Sequence, residues 1–159
     1  MGKVSCTLDP QEAAGRDAAF RAGEVPPPPA APPLQGGVTR DASSDPLAGT
    51  TAVQGVSFDE TGDRVLADDV VGRGFRLLTF DGAGARAALA DIAVRDIDIV
   101  VVDVTDDRND VDGSIAAWLS STGRVAALVR PDHYVFGSAA EQGDVGPLVD
   151  DLMAALHLS

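Results

Sequence analysis

The chain has one cysteine, one lysine and few aromatic residues. The single cysteine, Cys6, excludes an intrachain disulfide framework and any CxxC redox or zinc motif. Acidic residues outnumber basic ones by 25 to 12, and the formal net charge is −13. This balance argues against nucleic acid and anionic membrane partners, because both are bound by clustered cations. Without a membrane-length apolar run or a visible secretory signal, we expect a cytoplasmic protein.

Composition divides the chain into parts with different expected structure. Residues 1–55 contain eight of the ten prolines, whereas residues 56–159 alternate short apolar runs with polar turns. This shift predicts a helical segment at 1–24, a Pro/Gly-rich linker or wrapping arm at 25–55, and a packed domain at 56–159.

The first segment predicts one capped helix followed by an extended spacer. Asp9 suits the N-cap, Pro10 the first helical position and Gly23 the C-terminal end. The apolar face of this helix is narrow, so we expect the helix to pack on another surface. The prolines at 26–33 favour a semi-rigid polyproline spacer. A PxxP ligand is a weaker interpretation, because no basic residues flank the tract.

The second segment predicts the order β-α-β-α-β-β-α, with strands at 74–80, 97–104, 125–129 and 134–136 and helices at 83–93, after the N-cap Asp112, and at 147–158. Crossover helices imply parallel pairing of the first strands, and the closing hairpin adds antiparallel ones. An α/β thioredoxin-like sandwich satisfies this order. A small Rossmann-like half-sheet fits nearly as well.

One motif has the spacing of a dinucleotide fingerprint. Gly82, Gly84 and Ala87 follow a predicted strand and open a helix, and Asp103 ends the next strand. In such a site the glycines let the backbone approach pyrophosphate, and the acid binds a ribose hydroxyl. Asp81 would place a negative charge where the phosphate binds. We therefore favour a structural turn and keep a small nucleotide-binding domain as the alternative.

The other candidate groups do not assemble into a catalytic or metal site. The acidic stretch at 106–113 fails the EF-hand register, since Arg108 and Leu119 fall where the first and last ligands belong. His133 and His157 have no Cys or His at ligand spacing. The serines Ser114, Ser120 and Ser121 lack a nucleophile-elbow context. We expect a noncatalytic α/β module without a metal.

Several stretches resemble flavin-dependent aromatic-ring hydroxylases, in particular the 3-(3-hydroxyphenyl)propionate hydroxylase-like enzymes. The similarity runs through residues 2–18, the proline tract to Gly37-Val38, Asp68–Phe75 and Leu128–Val135. The last stretch is similar to the Leu-Val-Arg-Pro-Asp-Gly-Tyr-Val signature of that family's C-terminal domain. His133 replaces the family's turn glycine, and Val53 stands where a proline commonly precedes Gln54.

This resemblance implies a C-terminal domain that is thioredoxin-like but lacks redox cysteines. It places FAD, NAD(P)H oxidation, O2 activation and the phenolic substrate in a parent enzyme upstream of Met1, with no cofactor in this chain. The implied partners are the missing FAD and substrate domains, with a possible homodimer. The residues we expect to form a structural framework beside tight turns are Arg64, Asp68, Asp69, Gly72, Gly74, Arg130, Pro131 and Asp132.

Overall fold

The computed structural model describes residues 8–24, 31–34, 36–72, 74–90 and 97–157. The chain divides into two compact units, Met1–Ala30 and Ala31–Ser159. The predicted polyproline residues 26–29 and the predicted helix end at 91–93 lie outside the described residues. No helix in the described ranges is long and apolar enough to cross a membrane.

The first unit contains helix α1, Pro10–Ala22, and its predicted ends are confirmed. The Asp9 carboxylate accepts hydrogen bonds from the Gln11 and Glu12 amides at 2.7 and 3.2 Å. Pro10 occupies the first turn, where a missing amide donor costs nothing. Gly23 ends the helix in the left-handed conformation with φ 70°. No residue of α1 is buried.

The described residues of the second unit form six strands and four further helices. In chain order these are β1 (Val56–Phe58), β2 (Arg64–Leu66), α2 (Ala67–Val71), β3 (Phe75–Thr79), α3 (Gly82–Leu89), β4 (Ile99–Asp103), α4 (Ser114–Ser121), β5 (Ala126–Val129), β6 (Val135–Ala139), a 3₁₀ turn (Gln142–Asp144) and α5 (Val145–Ala155).

Strands β3 to β6 form one sheet in the order β4-β3-β5-β6. Strand β4 is parallel to β3, whereas β5 is antiparallel to β3 and β6 is antiparallel to β5. The predicted β-α-β-α-β-β-α order is confirmed, and the sheet is that of a thioredoxin-like sandwich. A Rossmann-like half-sheet would need a third parallel strand beside β3, and the antiparallel β5 occupies that place.

Alternate residues of the central strands build cores on the two faces of the sheet. Leu77 and Leu128 belong to one core with Ala85 of α3 and three buried residues of α5. Leu78 and Val129 belong to the other core with buried residues of α4. This alternation follows from the two-residue period of a strand, and both faces are apolar because both are covered.

The structure corrects the sequence-based prediction in two regions. The β1–β2 hairpin and helix α2 were not predicted, because their three- to five-residue runs are too short for a periodicity signal. The predicted cap of α4 was wrong. The Asp110 carboxylate accepts from the Ile115 and Ala116 amides at 3.1 and 2.8 Å, whereas Asp112 accepts from the Ser114 amide at 3.3 Å and is not the N-cap residue.

Residues 31–55, which we call the arm, run along the outer edge of β6. The Arg40 amide donates to the Phe136 carbonyl at 2.8 Å, and the Gly49 amide donates to the Val135 carbonyl at 2.9 Å. In return the Val135 amide donates to the Thr50 carbonyl at 2.8 Å. Every residue of β6 is buried. The arm therefore closes an edge that would otherwise expose unpaired backbone groups.

Asp45 fixes the centre of the arm to β6 through buried hydrogen bonds. Asp45 is only 4% exposed. It accepts from the amide and the hydroxyl of Ser138, the latter at 2.6 Å, and from the Leu47 amide at 3.1 Å. A buried carboxylate is stable only when such donors satisfy it, so Asp45 specifies one register of the arm on the strand.

Two glycines give a matched test of the packing between the arm, β6 and α5. A Cβ at Gly137 would lie 2.6 Å from Arg40 Cδ and 2.9 Å from Leu148 Cδ1, whereas a Cβ at Gly146 would meet nothing within 4 Å. We expect Gly137→Ala to lower the free energy of unfolding by about 1–3 kcal/mol through overpacking. Gly146→Ala lies in α5 and should raise it by about 0.5–1 kcal/mol. Urea unfolding measures both, and equal effects would contradict this packing.

Candidate functional site

A charged residue lies inside the sheet where the strand sequence is otherwise apolar. Arg76 is the second residue of β3 and is only 6% exposed. It pairs in register with Val129, the last residue of β5, so its side chain lies near the turn that follows β5. We call Arg76, Asp68, His133 and Gln54 the Arg76 cluster.

Four separate parts of the fold contribute to the Arg76 cluster. Asp68 of α2 forms an ion pair with the Arg76 guanidinium through Oδ1. The Arg76 Nη2 atom lies 3.1 Å from His133 Nδ1, and His133 Nδ1 lies 3.3 Å from Asp68 Oδ2. Gln54, at the end of the arm, donates from Nε2 to the same Asp68 oxygen at 2.8 Å. The cluster therefore joins the arm, α2, β3 and the β5–β6 turn.

Burial governs the electrostatics of this cluster. Desolvation lowers the pKa of Arg76 below its usual range, yet the adjacent Asp68 carboxylate balances the guanidinium charge. The Arg76 Nε atom has no hydrogen-bond acceptor among the described residues. The cluster borders a chamber of only about 20 Å³ with otherwise apolar walls. Such a chamber is too small for a substrate or a cofactor. The geometry therefore supports a structural role, in which the cluster connects four segments of the fold.

The predicted framework residues have different surroundings. The Arg130 guanidinium donates to both Asp132 carboxylate oxygens at 3.1 and 2.6 Å and to the Val38 carbonyl at 2.8 Å. Burial raises the pKa of Asp132, but the hydrogen bond and charge of Arg130 lower it more, and the net direction is down. The Arg130 side chain thus ties the β5–β6 turn around Pro131 to the arm.

The remaining framework candidates make fewer side-chain contacts. Arg64 and Asp69 are exposed, and their side chains make no hydrogen bond or ion pair with the described residues. Gly72 has φ 83°, a conformation that side chains rarely adopt, and terminates α2. Gly74 precedes β3, and a Cβ there would touch the Asp98 carbonyl at 3.5 Å. Asp68 alone of these connects directly to Arg76.

The second candidate site is the turn from β3 into α3, at the opposite end of β3 from Arg76. Asp81 Oδ1 accepts from the Gly84 amide at 2.8 Å, and Asp103 Oδ2 accepts from the Gly82 amide at 3.2 Å. A Cβ on Gly82 would lie 2.5 Å from Asp103 Oδ2, and one on Gly84 would lie 2.3 Å from Asp81 Oδ2. The chain's own carboxylates therefore explain both glycines.

This arrangement does not fit a bound dinucleotide. A phosphate at a helix N-terminus binds free amide donors and the positive end of the helix dipole. Here two carboxylates occupy those amides and place two negative charges beside them. Ala87 lies within α3 and contributes no donor to the turn. The described structure thus brings Asp103 to the turn, as the fingerprint spacing suggested. Its carboxylate caps the Gly82 amide there and is not free for a ribose hydroxyl.

No other group in the described structure forms a reactive centre. No cluster of three His, Cys, Asp or Glu side chains capable of holding a metal occurs among the described residues. An open cleft of about 680 Å³ lies between the arm and α5. Its charged lining includes Arg40, which is paired with Asp151, and Asp45, which is bound by Ser138. No histidine lines it, and Ser138 is already committed to Asp45.

Sequence reasoning missed Arg76, Gln54, Asp45 and Asp110 as organising residues. The available signal for Arg76 was its position inside the apolar strand Phe75–Thr79, since a charge in a strand covered on both faces needs a partner. Nothing local in the sequence indicates Gln54 or Asp45, because their partners are 14 and 93 residues away.

Adjacent aspartates provide a matched test of the Arg76 cluster. Asp68→Ala leaves the buried guanidinium without its carboxylate, and breaking a buried pair costs about 3–5 kcal/mol. Since Asp68 is 21% exposed, we expect a loss near the lower end, about 3 kcal/mol. Asp69→Ala removes an exposed, unbonded carboxylate and should change stability by less than about 0.5 kcal/mol. Similar losses in denaturant titrations of both variants would refute the assignment.

Acid titration tests the carboxylate cap at the β3–α3 turn. The hydrogen bond from the Thr105 hydroxyl, with backbone donors including Gly82, lowers the pKa of Asp103. A lowered folded-state pKa gives stability that is present above the unfolded value of about 3.9 and is lost as pH falls through the folded value. Asp103→Asn should therefore lose less stability than the wild type between pH 6 and pH 2.5. Asp107→Asn, an exposed and unbonded site, is the control that should follow the wild type.

Comparison with known proteins finds a relative that is much longer than this chain. A probable NADH-specific resorcinol 4-hydroxylase of Rhodococcus jostii (strain RHA1) is 31% identical over 168 residues, covering 98% of this chain and 31% of the relative. The chain thus spans less than a third of the length of this relative.

Two solved structures share the fold. The flavin-dependent monooxygenase PieE, in complex with FAD and substrate, matches 99% of this chain and 31% of its own with a TM-score of 0.55 and 22% identity. The substrate-free rebeccamycin biosynthetic enzyme RebC matches 93% of this chain and 29% of its own, with a TM-score of 0.54 and 22% identity. At this level of identity, the likenesses support the fold and nothing beyond it.

The resemblance predicted from the sequence is confirmed by a family model. The model of the HcaD C-terminal domain matches residues 49–155, about two thirds of the chain. This range contains the whole four-stranded sheet, α2 to α5 and the Arg76 cluster. The chain therefore belongs to the HcaD C-terminal domain family and resembles the C-terminal domain of flavin-dependent monooxygenases.

Proposed function

We propose that this chain is the structural and interaction domain at the C-terminal end of a flavin-dependent aromatic monooxygenase and is itself noncatalytic. The observation that carries the proposal is the engagement of both candidate sites by the chain's own side chains. Arg76 is bound by Asp68, and the β3–α3 turn is capped by Asp81 and Asp103. Groups already paired in this way stabilise the fold, and at these two sites they are not available to a cofactor.

The chemistry of the parent enzyme lies outside this chain in this proposal. By analogy with its relatives, the parent would use FAD, NAD(P)H and O2 to hydroxylate a phenolic ring, such as that of 3-(3-hydroxyphenyl)propionate. The relative described as an NADH-specific resorcinol hydroxylase and the FAD complex of PieE support this class. The FAD and substrate domains of the parent would be the partners of this chain.

Helix α1 is the proposed contact to those domains. Leu8 is 96% exposed and Phe20 is 51% exposed, and no residue of α1 is buried. A helix with so little burial lacks the packing that normally stabilises helices in proteins. We infer that the catalytic domain covers this helix in the parent. The alternative partner is a second copy of the chain in a homodimer.

A ligand titration of the isolated chain tests the noncatalytic assignment. Amide ¹⁵N shifts are followed while FAD or, separately, NADH is added to millimolar concentration. We expect no shift at residues 81–87 or 103, because carboxylates already hold the Gly82 and Gly84 amides. Shifts that cluster there would support the alternative, a small nucleotide-binding domain that uses Gly82, Gly84, Ala87 and Asp103.

The matched variant for this titration is Asp81→Asn. Asparagine keeps an oxygen that can cap the Gly84 amide but removes the charge that repels a phosphate. If the turn were a nucleotide site, this variant would bind FAD or NADH more tightly than the wild type. The proposed structural role predicts no binding by either protein.

A further inference from the structure

His133 holds the arm and contacts the Arg76 cluster at the same time. Its carbonyl accepts from the Ala52 amide of the arm at 2.9 Å, and its amide donates to the Arg130 carbonyl at 3.0 Å. Its ring nitrogen Nδ1 lies 3.1 Å from Arg76 Nη2 and 3.3 Å from Asp68 Oδ2. One residue therefore connects the attachment of the arm to a buried ion pair.

Two partners of opposite kind face the Nδ1 atom of His133. A guanidinium group can only donate hydrogen bonds, and an ionised carboxylate can only accept them. A hydrogen bond with Arg76 therefore requires an unprotonated Nδ1, and one with Asp68 requires a protonated Nδ1. Gln54 of the arm donates to Asp68 Oδ2 at 2.8 Å, so the arm and the imidazole approach the same carboxylate oxygen.

We propose that His133 is a proton-dependent latch between the arm and the sheet. When neutral, Nδ1 accepts from Arg76. When a proton from solvent binds Nδ1, that nitrogen can no longer accept, and it donates instead to Asp68 Oδ2. Arg76 Nη2 loses this acceptor, and Gln54 shares its oxygen with a second donor. Protonation therefore loosens the arm at Ala52–Gln54.

The charged groups around the ring permit this exchange. Asp68 of α2 and Arg76 of β3 face Nδ1 directly with opposite charges. In the turn itself, Arg130 is paired with Asp132, and Tyr134 follows His133 in the chain. Histidine is the side chain whose charge ordinarily changes between pH 5 and pH 8.

The backbone of His133 is independent evidence that its side chain is used. Its φ is 68°, in the left-handed region where a side chain is strained. Strained residues persist where the surrounding contacts over-determine them. The side-chain contacts with Arg76 and Asp68 offset this backbone strain. A glycine at this position would make no such contacts.

Nuclear magnetic resonance between pH 5 and pH 8 tests the latch on the whole chain. The Arg76 Nε–H and Gln54 side-chain amide signals should titrate with the same midpoint as the His133 ring. The Ala52 amide should lose about fivefold in hydrogen-exchange protection as the ring protonates, the equivalent of one net hydrogen bond. Arg76 and Gln54 signals that ignore the ring midpoint would overturn the proposal.

The two histidines provide matched variants, because both have positive φ, 68° for His133 and 57° for His157. Asparagine tolerates this conformation and does not titrate. His133→Asn should abolish the pH response of Arg76, Gln54 and Ala52, whereas His157→Asn should retain it. A response that survives in His133→Asn, or disappears in His157→Asn, would refute the latch.

Discussion

The closure of β6 by the arm is the constraint on which the domain depends. The strand is buried along its whole length, although it forms the edge of a four-stranded sheet. A segment without helix or strand supplies the missing hydrogen bonds, and the buried Asp45 carboxylate fixes it at Ser138. The cost of burying a carboxylate is offset only in this register, so the arm and the sheet must form together.

The Arg76 cluster extends the same logic to the other end of the arm. A guanidinium buried beside an apolar core is acceptable because Asp68 neutralises it, and the arm and the β5–β6 turn contribute Gln54 and His133 to the same cluster. Such a buried pair adds little net stability compared with apolar packing, but removal of one partner strongly destabilises the fold. Its value is specificity, since the arm, α2 and the β5–β6 turn are correct only in one mutual position.

The two ends of β3 show why a domain of this architecture need not be catalytic. At one end, Arg76 is paired with Asp68. At the other end, Asp81 and Asp103 accept hydrogen bonds from the Gly84 and Gly82 amides, which a bound phosphate would need. In a chain with net charge −13, carboxylates are abundant and serve as internal caps. The pairing of these groups within the chain is the observation behind the proposed structural role.

The sequence by itself determined the order of helices and strands from β3 to α5, the limits of α1 and the absence of a redox CxxC pair. These features depend on local periodicity, caps and composition, which act over a few residues. Only the tertiary structure decided that β5 is antiparallel to β3, that Asp110 caps α4, and that Asp45, Gln54 and Arg76 organise the fold. Asp45 and Gln54 bind partners 93 and 14 residues away, whereas Asp110 and Arg76 bind partners five to eight residues away. In each case burial and the geometry of the folded chain select the partner, and no local pattern encodes that choice.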